Sequence, residues 1–306
     1  MQNTEKTYVL GIDIGSTTVK IAILDSNHDV VFSDYRRHYA NIQGTLAAQL
    51  SDAFEKIGEV NIIPMITGSG GLTLSKHLKS TFVQEVVAVA TAVKAVAPQT
   101  DVAIELGGED AKIIYFTGGI DQRMNGICAG GTGSFIDQMA SLLQTDAIGL
   151  NEYAKSYKSI YPLAARCGVF AKTDVQPLIN EGATREDLSA SIFQAVVNQT
   201  ISGLACGKPI RGHVAFLGGP LHFLSELKQA FIRTLNLTDE YIVDPDNSHL
   251  FAAIGAALNC ESKDAMIGIS DLIAKLKEGI EMAHEIARLD PLFETEADYE
   301  EFSGRH

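Results

Sequence analysis

Apolar positions along the chain fall into strand-like and helix-like runs, and their order repeats. Apolar, β-rich stretches at residues 8–14 and 19–24 and a more mixed one at 29–35 predict three strands, the first two joined as a hairpin over a short polar turn. Between residues 42 and 57, Leu46, Leu50, Ala53 and Phe54 fall on one face at helical spacing. A strand is expected over 61–67, then a glycine turn at 68–71, then an apolar helix over 85–97 that Pro98 ends. The pattern then starts again, with a strand at 102–106, a turn at Gly107-Gly108-Glu109-Asp110 and a strand at 111–116. In register, Ile12-Asp-Ile-Gly-Ser-Thr-Thr-Val-Lys and Ile104-Glu-Leu-Gly-Gly-Glu-Asp-Ala-Lys share three features. Each has an acid (Asp13, Glu105), a glycine two residues later (Gly15, Gly107) and a lysine seven residues after the acid (Lys20, Lys112). Acid, glycine, lysine and both strands in register predict an internal duplication, with one hairpin heading each of two lobes.

The second half is more helical. Helices are expected over 133–143, 188–204 and 224–235, and a strand over 212–217 runs into Gly218-Gly219-Pro220. A short strand follows at 242–244. The small residues Ala252, Ala253, Gly255, Ala256 and Ala257 suit a helix over 250–258 packed closely on another backbone. Beyond Ser262 the pattern predicts one long amphipathic helix and then an acidic tail at 294–301. The expected fold is therefore α/β and two-lobed, with residues 1–98 plus 255–306 in lobe I, 99–254 in lobe II, and a hinge near 97–101.

Charge narrows the partners. Twenty-four Lys and Arg residues against 38 Asp and Glu leave a formal net charge of −14, with the basic residues scattered. Such a chain repels nucleic acid and anionic membrane surfaces, so neither is expected as a partner. The polar start shows no signal-peptide pattern, and no apolar run reaches the roughly 20 residues that span a bilayer. The expected location is cytoplasmic. There Cys128, Cys167, Cys206 and Cys260 would be reduced, as core filler, reactive thiols or metal ligands. Cys206 and Cys260 lie in apolar, helix-like contexts and read as core.

A strand ending in a glycine turn lets backbone N–H groups approach a phosphate unobstructed. Gly15-Ser16-Thr17-Thr18 fits, with hydroxyls to add hydrogen bonds, and Asp13 at the strand end is placed to hold a hydrated Mg²⁺. Glu105 with Gly107 and Gly108 offers the same from the other lobe. Taken singly, either hairpin could equally be a surface turn; taken as a pair they suit a phosphate chain clamped from two sides. Gly218-Gly219 after a strand gives a third glycine site, suited to a flat adenosine. Lys20 and Lys112 either assist phosphate charge or are solvated hairpin residues, and His222 reads as structural or surface. Neither a G-x-x-x-x-G-K-[ST] loop nor a strand followed by G-x-G-x-x-G is present.

The segments Asp13-x-Gly15-Ser-Thr-Thr-x-x-Lys20, Glu105-x-Gly107-Gly108, Gly218-Gly219 and Gly255-Ala-Ala resemble the two phosphate, adenosine and second connecting motifs of the acetate kinase/Hsp70/actin superfamily. The resemblance implies a duplicated ribonuclease H-like, actin-like ATPase fold that binds ATP/ADP with Mg²⁺. Glu105 stands where an aspartate is expected, its carboxylate one methylene further out. Within that superfamily, Asn125-Gly-Ile-Cys128-Ala-Gly-Gly-Thr-Gly-Ser-Phe and Arg166-Cys167-Gly-Val-Phe-Ala-Lys-Thr-Asp resemble the activator ATPases of 2-hydroxyacyl-CoA dehydratases and their benzoyl-CoA reductase relatives.

That resemblance implies a 4Fe–4S cluster shared across a homodimer, with Cys128 and Cys167 as each subunit's ligands. It also implies ATP-driven delivery of a low-potential electron to a 2-hydroxyacyl-CoA dehydratase or related CoA-ester reductase, the electron coming from a donor such as ferredoxin or flavodoxin. Independently, Cys128 lies in a glycine-rich loop opening a helix, with Ser134 as N-cap, where a thiolate is favoured. The rival on the same fold is a sugar or small-molecule kinase, which leaves Cys128 without a role. A further rival is a nucleotide-dependent scaffold. Gly218-Gly-Pro-Leu-His-Phe-Leu-Ser-Glu-Leu and the acidic end also resemble long fused forms of the activators, so the chain could be a piece of something larger.

Overall fold

A computed structural model describes residues 6–125, 130–164, 168–262, 264–278 and 292–305. Cys128 and Cys167 lie outside the described residues. The first repeat comprises β1 (Thr7–Ile14), β2 (Thr18–Leu24), β3 (Val30–Arg37), α1 (Ile42–Ile57), β4 (Asn61–Thr67), α2 (Gly71–Leu78), β5 (Thr81–Phe82) and α3 (Glu85–Val96). The second comprises β6 (Val102–Leu106), β7 (Ala111–Tyr115), β8 (Asp121–Met124), α4 (Gly133–Leu142), α5 (Ala147–Ala154), α6 (Gly168–Asn180), α7 (Arg185–Thr200), β9 (Val214–Leu217), α8 (Gly219–Phe223), α9 (Ser225–Leu235) and β10 (Ile242–Val243). The chain then runs through α10 (Phe251–Leu258), β11 (Ile267–Gly268), α11 (Ile269–Glu278) and α12 (Glu296–Arg305).

Two sheets result. One runs β11-β4-β1-β2-β3 with β5 beside β4, and the other runs β10-β9-β6-β7-β8. In each, an antiparallel three-stranded meander is extended by a parallel strand, β4 beside β1 and β9 beside β6. The repeat seen in the sequence is thus a repeat of topology. It holds in register as well: Asp13 lies opposite Lys20, and Glu105 opposite Lys112. The central strands are largely apolar because both faces are covered, the exceptions including the charged residues Asp13, Lys20, Glu105 and Lys112 near the turns. α1, α2 and α11 cover one face of the first sheet, and α4, α5, α7 and α9 pack on the second.

Between the two sheets lie α3 and α10. A shared core joins Ala22 and Leu24 of β2, Ala103 of β6, Ala215 and Leu217 of β9, Val89 and Val93 of α3, and Phe251 and Ile254 of α10. The small residues of α10 allow this. A Cβ on Gly255 would collide with the Ala88 carbonyl of α3, and one on Gly11 would collide with the Ala253 carbonyl.

Several expectations are corrected. The segment after Ser262 is not one long helix: residues 267–268 pair as β11 with β4, and α11 starts only at Ile269. Part of the acidic tail is helical, in α12, and none of its residues is buried. Cys206 is exposed at the end of a π-turn, Ile201–Ala205, and Cys260 is half-buried beyond the end of α10, so neither is a helical core residue. Thr132, not Ser134, is the N-cap residue of α4. No helix among the described residues is long and apolar enough to cross a membrane.

Candidate functional site

Both hairpins close in the same way. The Gly15 N–H donates to the Thr18 carbonyl at 2.9 Å, and the Gly107 N–H donates to the Asp110 carbonyl at 2.7 Å. The two turns face each other so closely that a Cβ on Gly108 would collide with the Thr17 hydroxyl. Between them lies a cleft of about 280 Å³ whose walls include Asp13, Gly15, Ser16, Thr18 and Lys20 from the first hairpin. Glu105, Gly107 and Gly108 from the second line it too, as does Gly218. An adjoining, more apolar cavity of about 220 Å³ takes in Thr17, Gly108 and Gly219, with Ile136, Ile148, Pro220, Phe223 and Leu224. The structure therefore brings every predicted nucleotide-site residue except Lys112, which is buried beside them, to two neighbouring cavities. Gly218 adopts φ +88°, and a Cβ there would collide with the Leu106 carbonyl, so the turn after β9 requires glycine.

The lysines are not solvated. The Lys20 ammonium donates to Asp13 Oδ2 at 2.6 Å, and Lys112 is 3% exposed. Lys112 donates to Glu85 at 2.7 Å, pairs closely with Asp110 and stands 3.6 Å from Glu105. Burial works against both ammoniums, yet the carboxylates carry each above the usual lysine range. Asp110 is held low, the Lys112 ammonium outweighing the effect of burial. Burial pushes Glu105 up, and it pushes Glu85 up to about 7 against the pull of Lys112, aided by Asp13, Glu105 and Asp110.

Sequence reasoning missed Glu85, Asp110 and His249 at this cleft. Glu85 opens α3, and His249 sits within the short helical turn Ser248–Leu250 that leads into α10, so neither belongs to a hairpin motif. Asp110 does belong to one: it ends the second glycine turn, two residues before Lys112, and an acid so close to a paired lysine is the signal that marks it. His222 does not line either cavity; it takes part in a hydrogen bond with Ser248 Oγ at 2.9 Å and lies against the His249 ring at 3.8 Å.

The carboxylates fit a divalent cation. Asp13 Oδ1 and Glu105 Oε2 are buried and have no hydrogen-bond partner among the described residues. A buried carboxylate oxygen without a partner is costly, and a hydrated cation satisfies it. Among the described residues no three His, Cys, Asp or Glu side chains cage a metal by themselves. Mg²⁺ in phosphate sites is held by one or two carboxylates, with water and phosphate completing its shell.

Comparison with known proteins places these features. The BadF/BadG/BcrA/BcrD ATPase family matches residues 10–259. The 2-hydroxyisocaproyl-CoA dehydratase activator of Clostridioides difficile is 30% identical over 261 residues, 82% of this chain and 94% of that protein. Component A of the (R)-2-hydroxyglutaryl-CoA dehydratase of Acidaminococcus fermentans superposes with a TM-score of 0.74 at 26% identity, covering 82% of this chain and 96% of that one. The Clostridium difficile 2-hydroxyisocaproyl-CoA dehydratase activator with bound ADPNP gives a TM-score of 0.72 at 26% identity, over 90% and 99%.

Proposed function

This chain belongs to the BadF/BadG/BcrA/BcrD ATPase family, and on that premise we propose that it is the ATP-driven activator of a 2-hydroxyacyl-CoA dehydratase or related CoA-ester reductase. The observation that carries the reading is the pair of facing glycine turns with buried oxygens on Asp13 and Glu105 beside them that accept no hydrogen bond among the described residues. Phosphates lie between Gly15-Ser16-Thr17-Thr18 and Gly107-Gly108, with the hydroxyls of Ser16, Thr17 and Thr18 donating to their oxygens beside turn N–H groups other than those of Gly15 and Gly107, which close the turns. Lys20 offsets phosphate charge while still paired with Asp13. The base enters the apolar cavity over Gly219, Pro220 and Phe223. Asp13 and Glu105 would hold Mg²⁺, whose charge offsets that of the phosphates, and they orient the attacking water. An activator bound to ADPNP on the same fold supports this placement.

Lobe I is residues 1–98 with 255–306 and lobe II residues 99–254. The strand distribution supports this division: every strand of the first sheet falls within 7–82 or 267–268, and every strand of the second within 102–243. Closure of the lobes over ATP couples hydrolysis to the partner. Cys128 and Cys167 of two subunits would hold a 4Fe–4S cluster, which supplies a low-potential electron drawn from a ferredoxin- or flavodoxin-like donor in the cytoplasm. In sequence, Cys167 is the residue before α6 and Cys128 comes five residues before α4, and a helix N-terminus favours a thiolate. Two ligands per chain cannot satisfy a cluster that takes four, and a two-fold dimer completes the set.

Iron and acid-labile sulfide measured after anaerobic purification test the electron-transfer part. About four of each per dimer, lost in both Cys128→Ser and Cys167→Ser, is the expected result. An iron-free parent that cannot be reconstituted would sink the electron-transfer role and leave the ATPase standing.

A further inference from the structure

We propose that the edge strand β3 carries a gate for the nucleotide. In this proposal Tyr35 stands where the ribose must pass, and the Arg37–Asp137 ion pair fastens the strand to the opposite lobe. The two together set how fast nucleotide enters and leaves. The proposal rests on the reading above, in which base and phosphates occupy the two adjoining cavities.

Tyr35 lines the apolar cavity and contacts Phe223 edge-on at 5.3 Å. Its hydroxyl packs so closely over Gly219 that a Cβ there would collide with it. The same ring lies 5.6 Å from the His249 ring and 5.9 Å from the Lys20 ammonium, and both of those residues line the phosphate cleft. Tyr35 is therefore the partition between the cavities. A nucleotide that spans them must put its ribose at this partition, and the ring must swing aside or lie along the sugar.

Arg37 is two residues further along β3, on the same face of the strand as Tyr35. It makes a two-pronged pair with Asp137 of α4, at 2.8 Å to Oδ2 and 3.1 Å to Oδ1. Helix α4 is itself tied to the second phosphate turn, the Gly133 and Ser134 N–H groups donating to the Gly107 and Gly108 carbonyls at 2.9 and 2.7 Å. The ion pair thus spans from the first sheet to the element that rides on the second phosphate turn. Among the described residues β3 ends its sheet and pairs only with β2, so it can shift without breaking a second ladder there. On its other face Arg36 pairs with Asp34 and Asp52 inside the same lobe, so these pairs do not cross the cleft.

The test is the association and release of radiolabelled ADP with Mg²⁺, followed by rapid filtration so that no bulky label sits at the gate. Arg37→Asp and Asp137→Arg are each expected to speed release about three- to fivefold, as loss of a partly exposed ion pair allows. The double swap, Arg37→Asp with Asp137→Arg, is expected to return release to within about twofold of the parent, because the pair is restored in reverse. Tyr35→Ala is expected to raise association and release together, leaving affinity changed less than either rate, and Tyr35→Phe to move both in the same direction by less. Arg36→Gln is the control and is expected to release ADP at the parent's rate.

Single swaps that release like the parent, or a double swap no slower than the faster single, would overturn the latch. If Tyr35→Ala raises release alone, Tyr35 is an ordinary contact and not a gate. A parent that retains no ADP at all overturns the nucleotide reading, and the gate falls with it. A parent that binds ADP, with rates insensitive to all four gate substitutions, removes the gate only.

Discussion

At the scale of single residues, the cleft sets Asp13, Glu85, Glu105 and Asp110 against Lys20 and Lys112. Lys112 holds three of those carboxylates, so Lys112→Met is expected to cost about 3–5 kcal/mol of stability at pH 8 in urea unfolding, by leaving buried charges unpaired. The cost should shrink at pH 5, where the freed carboxylates can take up protons.

Glu85 has its own pH signature. Its carboxyl, ordinarily at 4.5, is pushed up to about 7 in the fold. Between those values the folded chain holds a proton that the unfolded chain has released, so this group makes stability fall as pH rises from 4.5 to 7. Relative to the parent, Glu85→Gln should therefore gain stability over that interval in chelator-treated protein. A difference that stays flat with pH would refute the assignment. His249 acts with the opposite sign, because burial holds it neutral down to about 4 and the fold loses its contribution as pH falls from 6.5.

Asp13 and Glu105 were legible in the sequence because each closes a hairpin whose spacing recurs. Glu85 and His249 were not, since they reach the cleft from helix starts whose sequence spacing to the hairpins carries no signal.

At the scale of elements, the hairpins heading the two sheets were read most faithfully, because central strands covered on both faces are written as apolar runs broken by a single acid, Asp13 or Glu105, while β5 and β8 went unread. Helices were read from one-sided apolar spacing, as in α1, and from apolar or small-residue runs, as in α3 and α10. Among those missed, which also include α5 and α8, two have local reasons. α2 opens on glycines in what reads as a turn, and α6 carries Pro177 within it. β11 is two residues long and exists only because β4 has a free edge for it.

The small-residue helix α10 was legible as a close-packing element, though its partners were not. They prove to be β1 and α3 at once. Gly255→Ala is accordingly expected to destabilise by about 1–3 kcal/mol through collision with the Ala88 carbonyl, despite alanine's better helix propensity. Gly304→Ala in α12, where a Cβ meets open space, should stay within about 0.5 kcal/mol of the parent or gain slightly. Urea midpoints at constant slope decide it, and equal effects at the two positions would show that the α3–α10 contact is not tight.

At the scale of the whole molecule, the duplication explains why two acidic hairpins end up facing each other in a chain of net charge −14. Two lobes brought together over carboxylates alone would repel a polyphosphate, so nucleotide and divalent cation must arrive as one ligand. Binding should then be linked to folding across both lobes, since α3 and α10 join the two sheets through one apolar core. At free MgADP near one hundred times its Kd, unfolding is expected to cost about 2.7 kcal/mol more than in the apo protein. ADP with excess chelator should recover only a small part of this gain, and Mg²⁺ alone less still. Asp13→Asn should lose most of the Mg²⁺-dependent share while keeping its apo unfolding within reach of the parent, because Lys20 still has an amide oxygen to bond. Thermal unfolding at matched ligand concentrations reads all four states. If ADP in chelator stabilises the parent as well as MgADP does, the buried oxygens of Asp13 and Glu105 that accept no hydrogen bond among the described residues are not there for a cation. The phosphate site would then have to work through Lys20 and the backbone N–H groups alone.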